Sequence, residues 1–135
     1  MAKVSVLLDT DIFIDYFNTQ RFRSLFDPQQ FTVYYSIVTK KELLSKPGLR
    51  DNERQAIVDE LARCRIIPLN DVIASKYSEL RHRYPTLHKE DALIAASALV
   101  KNLPLLTQNW KHFKGIQGLA FFPVAKQGTT KRKGR

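Results

Sequence analysis

The sequence predicts an α/β fold, a parallel sheet covered by helices on both faces. Three observations carry this reading. Short apolar runs recur at 3–8, 31–36, 65–67, 103–107 and 120–124. Segments of helical period separate most of them, and short strands alternating with helices pack as a parallel sheet between helical layers. The chain's 135 residues, 44% hydrophobic and 26% charged, suit one domain with its own core.

The elements follow in order. Residues 3–8, KVSVLL, are β-branched and apolar and read as a buried strand. Asp9 and Asp11 fall at its C-terminal end, and IFIDYF begins a helix. Asn18 or Thr19 is expected to cap a further helix through about Phe26, which Pro28 ends. FTVYYS at 31–36 is the second strand. Ser36 is placed to cap a helix over IVTKKELLS, which Pro47-Gly48 closes. Residues 50–63 form a helix, 65–67 a short strand stopped by Pro68, and Asn70 or Asp71 caps a helix to about His82. Leu87 to Lys101 is the clearest helix, with Asp91, Ile94, Ala95 and Ala98 on one face. LPLLT at 103–107 and AFFPV at 120–124 are strands, with one helical turn at NWKHF between them. Residues 1–125 read as one domain and 126–135 as a basic tail.

The net charge is +9, of which Lys126, Lys131, Arg132, Lys133 and Arg135 supply five. Such a tail either meets nucleic-acid phosphates without reading sequence or is a solubilising end. The single cysteine, Cys64, excludes an intramolecular disulfide and reads as an inert buried thiol. No secretory signal and no apolar run of membrane-spanning length is seen, so the expected location is the cytoplasm.

Several residues carry chemistry. Asp9 and Asp11 follow the first strand, Glu42 lies in an otherwise apolar and basic helix, Asp91 opens the alanine-rich helix, and Thr107 and Asn109 follow LPLLT. In open α/β sheets, ligands collect beyond the carboxyl ends of the strands. Carboxylates meeting there without arginine partners would repel one another. A hard divalent cation, Mg²⁺ or Mn²⁺, relieves that repulsion and can activate water at a phosphoryl group. Each residue also has a plainer reading. Asp9, Asp11 and Asn109 could serve as helix caps, Asp91 as a partner of its helix dipole, and Glu42 as a solvated helix residue.

As an ordered set, LLDTDIFIDYF, the Glu of KKELL, EDALIAASAL and LLTQNWKHF resemble the motifs of PIN domains, most of all the VapC-type toxins of toxin–antitoxin pairs. The resemblance covers about residues 4–124. It implies a three-layer α/β/α sandwich with a central parallel sheet of about five strands, and a metal-dependent endoribonuclease that leaves a 5′-phosphate and a 3′-hydroxyl. Asp9 and Asp91 would carry the principal Mg²⁺, with Glu42 ligating it or orienting its water. Thr107 would bond to a ligand or to water, and Asp11 would orient the site. Asn109 stands where many members place a fourth acid, so one metal position is expected and a second is open. The family also implies a homodimer and an antitoxin partner.

Two competing readings remain: a non-catalytic RNA-binding or assembly protein on this fold, and a metal-dependent phosphatase or DNA nuclease. Lys40, Lys41, Arg81, Arg83 and Lys89 are candidate phosphate contacts or members of solvated and dipole-complementing faces. Trp110 either stacks on a base or packs at the strand edge. His82, His88 and His112 are too scattered for a zinc site. Phe13, Tyr16 and Phe17 are candidates for the core or a dimer surface.

Overall fold

The computed structural model describes residues 2–123. Four parallel strands lie in the order β3-β2-β1-β4, formed by Val4–Leu8 (β1), Phe31–Ser36 (β2), Arg65–Ile67 (β3) and Leu105–Leu106 (β4). Helices α1 (Thr10–Thr19), α2 (Ile37–Leu44), α3 (Asp51–Ala62), α4 (Asp71–Arg83), α5 (Lys89–Lys101) and α6 (Trp110–Phe113) cover the sheet. β1 is central because its side chains are apolar on both faces: Val6, Leu7 and Leu8 are fully buried.

The alternation of β1 divides the interior. Val6 and Leu8 belong with Ile12 and Phe13 of α1, and with Ile57 and Leu61 of α3. Leu7 belongs with Ile73 and Leu80 of α4 and with Ala92, Ile94, Ala95 and Ala98 of α5. These are the two helical layers that strand–helix alternation predicts.

Three expectations change. The run at 120–124 does not become a full fifth strand: among the described residues it contributes one parallel bridge, Phe121 to Leu105. Asn18 and Thr19 cap nothing, because α1 continues through Thr19 and ends at Gln20, whose φ of 65° is left-handed. A single 3₁₀ turn, Arg23–Phe26, follows instead of a helix, and buried Leu25 and Phe26 anchor it. The alanine-rich helix starts at Lys89 rather than Leu87, with His88 at its N-cap. The expected basic tail, 126–135, lies outside the described residues.

Candidate active site

The strand order reverses at β1: the chain leaves it towards β2 and later returns on its other side as β4. Such a switch point opens a crevice beyond the strand ends. Leu8 pairs with Leu106, so the next residues, Asp9 and Thr107, emerge side by side into it. Asp9 is buried there. Its Oδ1 accepts from the Thr10 N–H at 2.7 Å, and its Oδ2 accepts from the Thr107 hydroxyl at 2.7 Å. Asp9 therefore caps α1 and faces the crevice at once.

Glu42 reaches the same neighbourhood from α2. That helix starts directly after β2 because the Ser36 Oγ accepts from the Val38 N–H at 3.2 Å. The Thr10 hydroxyl donates to Glu42 Oε1 at 2.6 Å and lies 2.8 Å from the buried Thr39 hydroxyl. Thr10 thus bridges Asp9 to Glu42. Asp91 stands in the first turn of α5, half-buried, 3.5 Å from His112 Nδ1. Asp11 Oδ2 accepts from the Gln108 N–H at 3.1 Å and from Asn109 Nδ2 at 3.2 Å, tying α1 to the loop after β4. Asn109 is exposed at the N-cap of α6, and its side chain bonds to Asp11 rather than capping that turn.

The electrostatics follow from this packing. Burial raises the Asp9 carboxyl above its ordinary range, and the negative charge of Asp91 adds to the rise, against the lowering hydrogen bonds from Thr107 and Thr10. Burial also raises Asp91, with neighbouring Glu42 adding to it and His112 and His88 opposing. Asp11 is pushed up to about 7 by burial and by the charge of Asp9. No salt bridge among the described residues gives Asp9, Glu42 or Asp91 a lysine or arginine partner.

The donor set suits a hard cation: it is carboxylate oxygen throughout, and positive charge would relieve its repulsion. Asp11 Oδ1, a buried acceptor that receives no hydrogen bond, is a further oxygen beside it. The acids adjoin without forming a cage. Among the described residues no three His, Cys, Asp or Glu side chains make a ready ligand set, and Glu42 and Asp91 are held by Thr10 and His112.

Of the candidate phosphate contacts, Lys40, Lys41 and Lys89 are exposed. Arg81 donates to the Leu87 carbonyl and Arg83 to Gln117, so both brace the loop into α5 and the segment after α6. Cys64 is partly buried, and burial pushes its thiol up to about 12. The sequence alone does not single out Thr10, Thr39 or Gln108, and the spacing of the histidines gives His112 no metal role. Only the position of Thr10 between two acids could have pointed to it.

The PIN domain family model matches residues 6–119 of the chain. Ribonuclease VapC1 of Methanocaldococcus jannaschii is 29% identical over 117 residues, covering 83% of this chain and 81% of that protein. Ribonuclease VapC10 of Mycobacterium tuberculosis is 38% identical over 88 residues, covering 62% of this chain and 65% of that protein. Among solved structures, VapBC2 from Rickettsia felis, bound to a DNA fragment from its promoter, includes a chain that superposes with a TM-score of 0.78. That chain is 25% identical, and the match covers 88% of this protein and 98% of that chain.

Proposed function

The chain belongs to the PIN-domain family, and from that premise we propose that it is a metal-dependent endoribonuclease, the toxin of a toxin–antitoxin pair, acting in the cytoplasm. The observation that carries this reading is the meeting of Asp9 and Asp91. They come from a strand end and a helix start 82 positions apart, the charge of Asp91 helps raise the Asp9 carboxyl, and neither has a lysine or arginine partner among the described residues.

Asp9, Asp91 and Glu42 are the residues that would hold Mg²⁺ or Mn²⁺. Bound there, the ion lowers the pKa of water and offsets charge developing on a phosphate oxygen. The rest falls to the chain. Thr107 and the Thr10 amide fix the Asp9 carboxylate in one orientation, and the Thr10 hydroxyl holds Glu42. Asp11 holds Gln108 and Asn109 so that the loop after β4 borders the crevice. Lys40, Lys41 and Lys89, exposed on α2 and α5, would be the phosphate contacts. Asn109 favours a single ion position, because its amide brings no charge and donates to Asp11. The products would be a 5′-phosphate and a 3′-hydroxyl. A homodimer and an antitoxin that neutralises the acidic crevice complete the reading, supported by the VapC and VapBC relatives.

The test is cleavage of a mixed pool of structured RNAs with Mg²⁺ or Mn²⁺, run beside matched DNA. RNA cleavage that needs the ion and disappears in Asp9→Asn and Asp91→Asn is the expected result. Folded protein that binds RNA and metal without cutting would replace the enzyme with a binding protein, and preferential cutting of DNA would change the substrate.

A further inference from the structure

Beside Thr107 lies an apolar groove of about 310 Å³ lined by Thr107, Trp110, Phe121, Phe122 and Pro123. Trp110 is 46% exposed and Phe121 36%. Trp110 thus borders the strand-edge residues Phe121 and Phe122 and keeps nearly half of its surface open. The single turn of α6 is anchored by Phe113, which is fully buried.

One lysine stands beside this groove, and more positive charge lies across the α6 turn. Lys114 Nζ lies 5.4 Å from the centre of the Trp110 ring. Lys111, His112 and Lys114 line a second cleft of about 510 Å³ that also contains Asp91. The α6 turn is thus a ridge, with a basic cleft on one flank and an aromatic groove on the other. Both flanks touch the acidic crevice, one through Asp91 and one through Thr107.

Alternating cationic and aromatic surface is what single-stranded nucleic acid selects, because every nucleotide carries one charged phosphate and one stackable face. The geometry points to a nucleobase subsite: the Trp110–Phe121 groove stacks an unpaired base of the RNA strand, adjacent to the phosphate presented to Asp9 and Asp91. This rests on the ribonuclease reading above and adds to it a requirement that the RNA be unpaired at the cut. A paired base keeps its faces inside the helical stack and cannot enter the groove.

Trp110 is the sole tryptophan, so its fluorescence reports this groove directly. The intact protein, in excess chelator so that nothing is cut, would be titrated with a ten-nucleotide single-stranded RNA. An abasic oligomer of equal length and charge, and an RNA duplex, would be titrated alongside. The expected result is saturable quenching by the single strand, with at least tenfold weaker and non-quenching binding of the other two. Equal quenching by the abasic oligomer, or none by any of the three, overturns the subsite.

By fluorescence anisotropy of labelled RNA, Trp110→Ala should weaken binding roughly 5- to 150-fold, and Trp110→Phe should restore most of it. Unchanged affinity in Trp110→Ala overturns the subsite as well. A melt followed by circular dichroism checks folding, and the wild-type titration decides the matter if the alanine variant fails it. The two readings fail separately. Base-dependent quenching without ion-dependent cleavage sinks the enzyme, whereas cleavage that ignores both base and Trp110 sinks the subsite.

Discussion

On one face of the sheet, Val6 and Leu8 meet a layer built largely of rings. Phe13 packs edge-on against Phe26 and Tyr35, with centroids 5.6 and 6.1 Å apart, and Tyr16 stacks on Phe26 at 4.0 Å. On the other face, Leu7 and Leu105 meet a helix that buries Ala92, Ala95, Ala96 and Ala98. Rings fill volume and hold helices away from the sheet, whereas alanines let a helix backbone approach it. The site is shared between the two. Asp91, from the alanine layer, is half-buried near Asp9. Glu42, on the aromatic side, is exposed beside a largely apolar groove of about 560 Å³ between α1, α2 and α3. Close packing on one side and an open edge on the other give one half-buried acid and one exposed acid.

That contrast predicts unequal effects. Asp91→Asn should lower kcat for RNA cleavage by on the order of 10³-fold, the scale of removing one preorganised electrostatic contact or more. Glu42→Gln should cost less, since solvent already reaches that carboxylate. Equal losses, measured under saturating metal, would erase the distinction between the two acids.

In the aromatic layer, Phe13→Ala removes a fully buried ring and should lower unfolding free energy by about 3–5 kcal/mol. Denaturant titration reads this, and a loss under about 1 kcal/mol would mean the layer collapses to fill the space. In the alanine layer the damaging change is the reverse one. Ala95→Leu, one turn beyond Asp91 on α5, should destabilise by about 1–3 kcal/mol through overpacking. It should also lower activity by more than its stability loss explains, because α5 must move outward with Asp91. A stable variant of full activity would show that the close approach is not needed.

The smallest effect falls at the junction of sheet and α2. Ser36→Ala removes an N-cap bond and should cost about 1 kcal/mol. A several-fold drop in cleavage should accompany it, because α2 carries Glu42; unchanged kcat at reduced stability would detach the cap from the site.

Much of this was legible along the chain because it is local. The apolar run of β1, the Pro47-Gly48 stop and the alanine face of α5 each show themselves within one or two turns of chain. Acids at a strand end and at a helix start were visible for the same reason. The expected cap at Asn18 or Thr19 fails because α1 runs on through both residues as its last turn. There the Thr19 hydroxyl bonds back to the Asp15 carbonyl at 2.8 Å.

By itself, then, the sequence determined the layered α/β class, the positions of Asp9, Glu42 and Asp91 on their elements, and the family. Tertiary structure alone decided what those acids touch. Thr10 reaches Glu42 across 32 positions, and Thr107 reaches Asp9 across 98. Only strand register and helix packing bring such groups within hydrogen-bonding distance. It also decided that Trp110 faces outward while Phe113 turns in. Periodicity assigns a residue to a face of its own helix or strand, but burial and charge coupling depend on what the rest of the chain places opposite that face.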